Sequence, residues 1–452
     1  MLRWALLQNF KLLHRLDRLV GRRFTPVGLL VLSACFAGAV FGLDVRSTLG
    51  IQIASFSFAL LLVAMVSALF FRAKIGVTRQ LPSLATVGEP VTYVVTLKNF
   101  RASMQRGLLV KERLSQRLPT YDEFMATTQL DRRRNLFDRQ VGYPRWAWLV
   151  RQGRGASAEE SSLDVLPASG EARVELTLTA HRRGRIHLEA IDVSRLDPFG
   201  LFRAINKTGK AQSILVLPKR FPVTWRESLS SHRDRVGGDS AAMVAGNSDE
   251  FSRVREYRPG DPMNHIHWPS WARTGQPIVK VFQRRSFVRQ ALVLDTFSVS
   301  SSNEQFEEAV SVAASFAYRS DGTSTAVELC FVTDHTNFVG ERADSTAMLE
   351  ALAGVTACTR HEFCALSELV TRRLAHLSSC VCVFLAWDEP RQFLVKHLRS
   401  VGIPVAVFVV YPGSAPLFDP GPLADQPQRL CLIERGGAER ALMNFDPESV
   451  AW

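Results

Sequence analysis

Cysteine is scarce in this chain and follows no pattern: seven thiols, at positions 35, 330, 358, 364, 380, 382 and 431 of 452 residues. None has zinc-finger spacing. Cys380 and Cys382 alternate so as to share one strand face, as small core residues do in a reducing compartment. Local signatures of catalysis are missing too. There is no Gly-x-Ser-x-Gly elbow, no phosphate-cradling Walker loop and no His-Glu-x-x-His helix, so the expectation is a protein that is not an enzyme. The formal net charge is +12, yet no helix-turn-helix, zinc finger or RNA-binding signature accompanies it and the basic residues are scattered. That excludes an ordinary nucleic-acid binder and leaves anionic lipid headgroups as the expected partner. No repeat of fixed period runs through the chain.

Charge itself is missing from two stretches, Phe24–Leu43 and Ser47–Phe71, separated by Asp44-Val45-Arg46. Each holds about 20 residues or more, and at ~1.5 Å per residue reaches the ~30 Å of a bilayer core. Two such runs in tandem predict a transmembrane helical hairpin in place of a cleaved signal peptide. Arg3, Lys11, Arg15, Arg18, Arg22 and Arg23 precede the first run, opposed by Asp17 alone. Arg72, Lys74 and Arg79 follow the second, and the connecting loop has only Arg46. The positive-inside bias therefore places residues 1–23, both termini and the bulk of the chain in the cytoplasm, with the spans at 24–71. Trp4–Val20 carries Leu6, Leu7, Phe10, Leu13, Leu16 and Val20 near helical spacing, either as a helix on the membrane surface or as a short cytoplasmic helix.

The residues beyond the spans exceed one ordinary core, so two domains are expected. Residues 75–220 read as short strands: Val87–Asn99, Leu108–Leu114, Arg173–Ala180, Arg185–Val193 and Ser213–Leu217. Turns such as Arg182-Arg183-Gly184 and Asp197-Pro198-Phe199-Gly200 punctuate them, the pattern of a β-sandwich. An insertion at 115–166 interrupts it. Asp131–Arg154 holds seven arginines with Tyr143, Trp146 and Trp148, either a membrane-interface or strand-binding surface or a long hairpin covering one edge of the sandwich. Residues 228–248, rich in Ser, Gly and small side chains, read as a linker.

From 249 to 452 strands and helices alternate. Strands are expected at Ala291–Leu294, Ala326–Thr333, Cys380–Ala386 and Val405–Val410, helices at Asn303–Arg319, Ser345–Thr356, Glu362–Leu377 and Pro390–Val401. This predicts a parallel sheet covered on both faces, and so a chain of α/β plus β class. Ligands of such sheets bind at the carboxyl ends of strands, where Asp295 and Asp388 fall. Ahead of the first strand Asp249–Phe282 crowds Glu250, Arg253, Arg255, Glu256, Tyr257, Gly260, Asp261, His267, Trp268 and Arg273 together. These arginines and carboxylates can form a charged network pinning the segment to the sheet, or a partner-recognition surface. His267 and Trp268 are expected to pack against the sheet, with Trp268→Ala and Arg255→Ala lowering thermal stability. His265-x-His267 would share one face of a strand and could hold zinc, but no third ligand follows by spacing.

The stretch closely resembles the signature of the domain-of-unknown-function fifty-eight family. The likeness is carried by Glu250-Phe251, Arg255-Glu256-Tyr257, Gly260-Asp261, Ile266-His267-Trp268, Ala272-Arg273, the onward strand to Asp295 and the turn Asp197–Leu201. The resemblance implies a von Willebrand factor A-like domain, whose Asp-x-Ser-x-Ser loop binds a divalent cation. In Asp295-Thr296-Phe297-Ser298-Val299-Ser300 the serines are displaced and Phe297 stands where the first is due. No cofactor is therefore expected; if Mg²⁺ binds, Asp295, Ser298 and Asp388 are its candidate ligands. The resemblance further implies a bacterial inner-membrane adaptor or assembly factor working with a MoxR-type AAA+ ATPase beside other membrane proteins. The alternative is a membrane-anchored metal-dependent hydrolase acting through Asp295, Asp261 and His267.

Overall fold

The structure, a computed structural model, describes residues 2–42, 48–71, 74–115, 117–126, 141–153, 155–223, 249–261, 263–284, 288–297, 304–319, 325–334, 337–340, 345–374, 377–413 and 419–445. They form two compact units, one built mainly from Met1–Lys219 and one mainly from Arg220 onward. The loop Asp44–Arg46, the linker 228–248 and Ser298 and Ser300 lie outside the described residues.

The first unit opens with three helices: α1 (Leu2–Arg23), α2 (Pro26–Phe41) and α3 (Thr48–Leu69). Within α3, Leu49–Leu69 has 21 residues at mean hydropathy 2.2, long and apolar enough to cross a bilayer. The first apolar run, expected to span from Phe24 to Leu43, gives a helix of 16 residues, short of that length. Thr25 starts α2 as its N-cap, accepting from the Gly28 amide at 3.0 Å, with Pro26 in the first turn where no amide is needed. Small residues bring α2 and α3 together. A Cβ on Gly38 would lie 2.9 Å from the Gly50 carbonyl oxygen, and the Cys35 thiol donates to the Ala54 carbonyl at 3.6 Å.

The rest of this unit is two sheets around one core. Strands β1 (Ile75–Gln80), β3 (Pro90–Asn99), β7 (Glu171–Ala180) and β5 (Ala156–Ala158) run in that order in one sheet. The other runs β2 (Leu84–Thr86), β10 (Gln212–Leu217), β8 (Gly184–Leu196), β4 (Gln105–Leu114) and β6 (Glu160–Leu166), with β9 (Arg203–Thr208) paired to β8. Alternation drives it: Tyr93, Val95 and Leu97 of β3 meet Leu108 and Val110 of β4 and Leu188, Ile191 and Val193 of β8 inside. One ion pair is buried between the sheets. Arg79 donates to Glu112 at 2.7 Å, and Tyr93 Oη donates to the same carboxylate at 2.8 Å. Arg79, counted above among the charges that orient the spans, is thus neutralised in the core.

The insertion is smaller than expected, because β5 and β6 belong to the sandwich. What stands outside the sheets includes α4 (Tyr121–Ala126) and α5 (Tyr143–Gln152). Two of its aromatics, Tyr143 and Trp146, meet Phe10 of α1. Trp146 is buried with Phe124 and Val150 against Leu7 and Phe10 of α1, its ring stacked 6.1 Å from that of Phe10. Arg145 lies over the Phe124 ring at 4.3 Å and donates to the Phe124 carbonyl at 2.9 Å. The Asp197–Leu201 turn also takes a specific place. Its carboxylate accepts from the Phe199 and Phe202 amides at 2.9 and 2.6 Å, and Thr25 Oγ1 donates to the Gly200 carbonyl at 2.6 Å. A Cβ on Gly28 would collide with the Leu201 carbonyl oxygen, so only glycine admits the turn to the start of α2.

The second unit holds a six-stranded sheet and a separate two-stranded ribbon. In the sheet the order is β15 (Asn337–Gly340), β14 (Thr325–Val332), β13 (Val288–Leu294), β16 (Ser379–Phe384), β17 (Val405–Tyr411) and β18 (Leu430–Glu434). All neighbours are parallel except β14 with β15. Every residue of β16 is buried, as an apolar strand covered on both faces must be. From Glu304 on, the unit's described α-helices are α7 (Glu304–Arg319), the first half of α8 (Ser345–Gly354), α9 (Cys364–Thr371), α10 (Glu389–Ser400) and α11 (Ala438–Asn444).

Candidate functional site

Strand order reverses between β13 and β16: β13 is followed in sequence by β14 on one flank and later by β16 on the other. At such a switch point the loops leaving the carboxyl ends diverge and open a crevice. Asp295 lies there, fully buried. One carboxylate oxygen accepts from the Phe297 amide at 3.0 Å; the other accepts from the Leu385 amide at 3.0 Å and from Arg391 Nε at 2.7 Å. Arg391 also donates through Nη1 to Asp388 at 2.5 Å. The two aspartates expected to flank a cation therefore flank a guanidinium. Burial alone would lower the Arg391 pKa, but Asp295 and then Asp388 raise it above its ordinary value, so the charge stays.

Local sequence explains the placement. Asp388 caps α10, accepting from the Arg391 amide at 3.4 Å, and the i to i+3 spacing brings the Arg391 side chain back over the cap. Phe363 supplies the floor, its ring 4.7 Å from the guanidinium and 5.8 Å from the Phe297 ring. Phe297, in the place of a hydroxyl ligand, is part of the apolar packing. Thr296 is buried and donates to the Val332 carbonyl. Beyond β14, Asp334 accepts from the amides of Arg360 at 2.8 Å and Thr359 at 2.7 Å and from the Thr359 hydroxyl at 2.9 Å. Those amides hold its carboxyl well below the usual range. Among the described residues no three His, Cys, Asp or Glu side chains are grouped to hold a metal ion. Sequence reasoning missed Arg391, Asp334 and Thr359. Asp388-Glu389-Pro390 ahead of an amphipathic run is a legible helix start, and an arginine three residues past its cap was the available signal for Arg391.

The second candidate surface is the ribbon of β11 (Asp249–Glu256) and β12 (Ile278–Arg284), with α6 (Trp268–Thr274) in the connection. The pairing is antiparallel, with a register shift between Phe251 and Arg253. Ile266 and Val279 make a small buried centre, and the His267 amide donates to the Ile278 carbonyl at 2.8 Å. Arg255 grips Asp261 with two bonds of 2.7 and 2.6 Å and donates to the Glu256 carbonyl at 3.0 Å; the Arg258 amide adds a bond to Asp261 at 2.9 Å. These bonds, the Arg255 guanidinium first, hold the Asp261 carboxyl below its ordinary value.

Several expected placements are corrected here. Trp268 does not pack against the sheet: it is 62% exposed, its ring stacked 5.3 Å from Trp271, because it opens a short helix in the connection between β11 and β12. His265 ends a 3-10 turn and His267 precedes α6, so the two share no strand face. His267 Nδ1 is bonded to Ser270 Oγ at 2.6 Å. The charged network contracts to Arg255, Asp261 and nearby backbone. Glu256 and Arg273 are exposed and Tyr257 is half-buried, while the side chains of Glu250 and Arg253 lie outside the described residues. Asp261 and His267 stand on the ribbon and Asp295 at the sheet crevice, each with its own partners.

The family described as "Protein of unknown function DUF58" matches residues 253–366, a stretch that begins within β11, takes in the rest of the ribbon and the Asp295 loop and ends before Asp388 and Arg391. A curated relative, "Uncharacterized protein YeaD" of Bacillus subtilis (strain 168), is 28% identical over 136 residues, 30% of this chain and 33% of that protein. The chain thus spans about a third of the length of the relative it matches. Among solved structures, a CARDB domain from Pyrococcus furiosus in complex with di-metal ions is 11% identical over 33% of this chain and 91% of that one, with TM-score 0.18. The alkylpurine DNA glycosylase AlkC of Pseudomonas fluorescens is 12% identical over 39% of this chain and 42% of that one, with TM-score 0.19. Likenesses of that size carry no argument about this chain.

Proposed function

We propose that this protein is a membrane-anchored adaptor or assembly factor, its second unit a von Willebrand A-like domain in which Arg391 stands where a cation would sit. In this reading α2 and α3 form a transmembrane hairpin in a bacterial inner membrane, with both termini and the bulk of the chain cytoplasmic. The ribbon engages a protein partner, and the resemblance in its sequence makes a MoxR-type AAA+ ATPase the partner to test first.

One observation carries the proposal: a tryptophan exposed on a ribbon whose turn is otherwise held by a bidentate ion pair. Exposed tryptophans on a rigid frame are the residues that anchor protein interfaces, each a large apolar area at low entropic cost. Val254 and Met263 of the same segment are exposed as well. The hydrolase reading would require Asp295 to release Arg391, and no observation favours it over the adaptor.

The test is purification of the full-length protein from membranes, wild type against Trp268→Ala. The AAA+ ATPase is expected to accompany the wild type and to be lost from the variant, with the melting temperature changed by no more than an exposed substitution allows, about 0.5 kcal/mol of stability. Equal recovery of the ATPase with both proteins, or with neither, would reject the proposal.

A further inference from the structure

We propose that α1 is an interfacial anchor that lies in the anionic headgroup layer of the bilayer, supported from its other side by α4 and α5. The proposal rests on the membrane anchoring read above and adds a second, electrostatic contact to it.

Two stripes run along α1. At 3.6 residues per turn, Leu7, Phe10 and His14 share one side, and there Leu7 and Phe10 are buried against Phe124, Trp146 and Val150. The opposite side is also apolar and is uncovered: Leu12 is 55%, Leu13 52%, Leu16 47% and Leu19 60% exposed. Lys11, Arg15, Arg18 and Arg22 fall along one flank between the two stripes, with Asp17 the sole acidic residue of the helix. An uncovered leucine face edged by cations on one helix is the composition of a segment that lies in the plane of a bilayer surface.

Position narrows the occupant to lipid. Only Phe24 and Thr25 separate α1 from α2, whose outer surface exposes Phe36 and Phe41. That junction is fixed. The Thr25 amide donates to the Leu201 carbonyl at 3.1 Å and the Phe24 ring packs edge-on against Phe202 at 5.2 Å. A helix pinned at the base of an apolar span has its free face where the headgroups of that leaflet lie. Its excess of positive charge complements anionic lipid. The insertion then has a structural purpose: Trp146 and Phe124 hold the polar-flanked side of α1 so that its leucines face outward.

The experiment uses the full chain in nanodiscs of phosphatidylcholine, with or without phosphatidylglycerol. The photoreactive residue p-benzoylphenylalanine replaces Leu16 in α1, Phe56 in α3 or Glu175 on β7. Expected are lipid adducts at positions 16 and 56 and none at 175. The adduct at 16 should rise several-fold with phosphatidylglycerol, each basic residue near the surface contributing on the order of fivefold. In R15Q/R22Q that rise should largely vanish. A protein adduct at position 16, or no adduct there while position 56 still labels lipid, overturns the proposal and leaves the anchoring intact. A lipid yield at 16 indifferent to phosphatidylglycerol overturns it likewise. Absence of lipid adducts at position 56 refutes the anchoring itself.

Discussion

Arg391 is the residue on which the sheet crevice depends. A buried carboxylate must be neutralised or fully bonded, since removing one partner of a buried pair leaves a charge with nothing to replace water. Asp295 has two amides and the guanidinium; without the guanidinium the remaining bonds are neutral ones. Arg391→Ala is therefore expected to destabilise the protein by about 3–5 kcal/mol, read as a fall in melting temperature of the extracted full-length protein. Arg399 provides the contrast: it meets Asp425 at 2.5 Å with both side chains partly in solvent, and Arg399→Ala should cost about 1 kcal/mol or less through that pair. Equal losses would mean that the crevice is wetter than its burial implies. The same packing bears on cations. Added Mg²⁺ would have to displace an arginine held charged by two carboxylates, so millimolar Mg²⁺ is expected to leave the melting temperature of the wild type unchanged, and a clear rise would refute this account.

Among the elements, the ribbon has an acid-sensitive latch. The folded pKa of Asp261 is depressed, so the stabilisation it supplies is present above the unfolded carboxylate value near about 3.9 and is lost as pH falls through the lower folded value. Relative to the intrinsic exchange rate at each pH, the amides of the turn at Arg258–Asp261 should lose protection as pH falls below about 4, and Asp261→Asn should reproduce that loss at pH 7. Slow exchange in the variant at pH 7 would show that the latch is dispensable. The elements also show what was legible beforehand. Strands β3, β13 and β17 and helix α10 were expected within a few residues of their observed ends, because alternation or 3.6-residue periodicity is strong in each. The ribbon was not foreseen as a separate sheet: its residues are charged and turn-forming, and the pairing of Arg255 with Val279 is decided by tertiary context. The helices α4 and α5 were hidden in the insertion, α5 within its arginine-rich part, because their apolar residues, Phe124, Trp146 and Val150, make sense only against α1. Of the candidate residues, Arg255, Asp261, Asp295 and Asp388 are bonded as local chemistry allowed. Their decisive partner, Arg391, is distant in sequence from Asp295, and its one local signal was its place three residues past the Asp388 cap.

At the scale of the whole first unit, the helices and the turn at Asp197–Leu201 together argue for one topology. Thr25 and Gly28, at the start of α2, meet Gly200 and Leu201; Ala64 and Ala68, near the end of α3, pack with Leu201 and Phe202 in the same cluster. Gly38, at the far end of α2, meets Gly50 and Ala54 early in α3. The two helices thus run antiparallel, and the sandwich abuts the end where α1 and the chain after α3 also lie. If the helices cross the bilayer, the basic residues of α1 and the sandwich occupy one side and the loop at Asp44–Arg46 the other. An epitope inserted in that loop should be reached by antibody from outside intact spheroplasts, while one appended after Trp452 should be reached only after permeabilisation. Gly38→Leu should disturb this arrangement without changing the charges, since its side chain would enter the Gly50 and Ala54 backbone; overpacking of this kind costs about 1–3 kcal/mol. Oxidation joining Cys35 to a cysteine placed at Ala54 should therefore succeed on the native background and fail with Gly38→Leu. Both epitopes appearing on the same side would refute the hairpin topology, and an efficient cross-link in the Gly38→Leu variant would refute the close contact on which the antiparallel pairing rests.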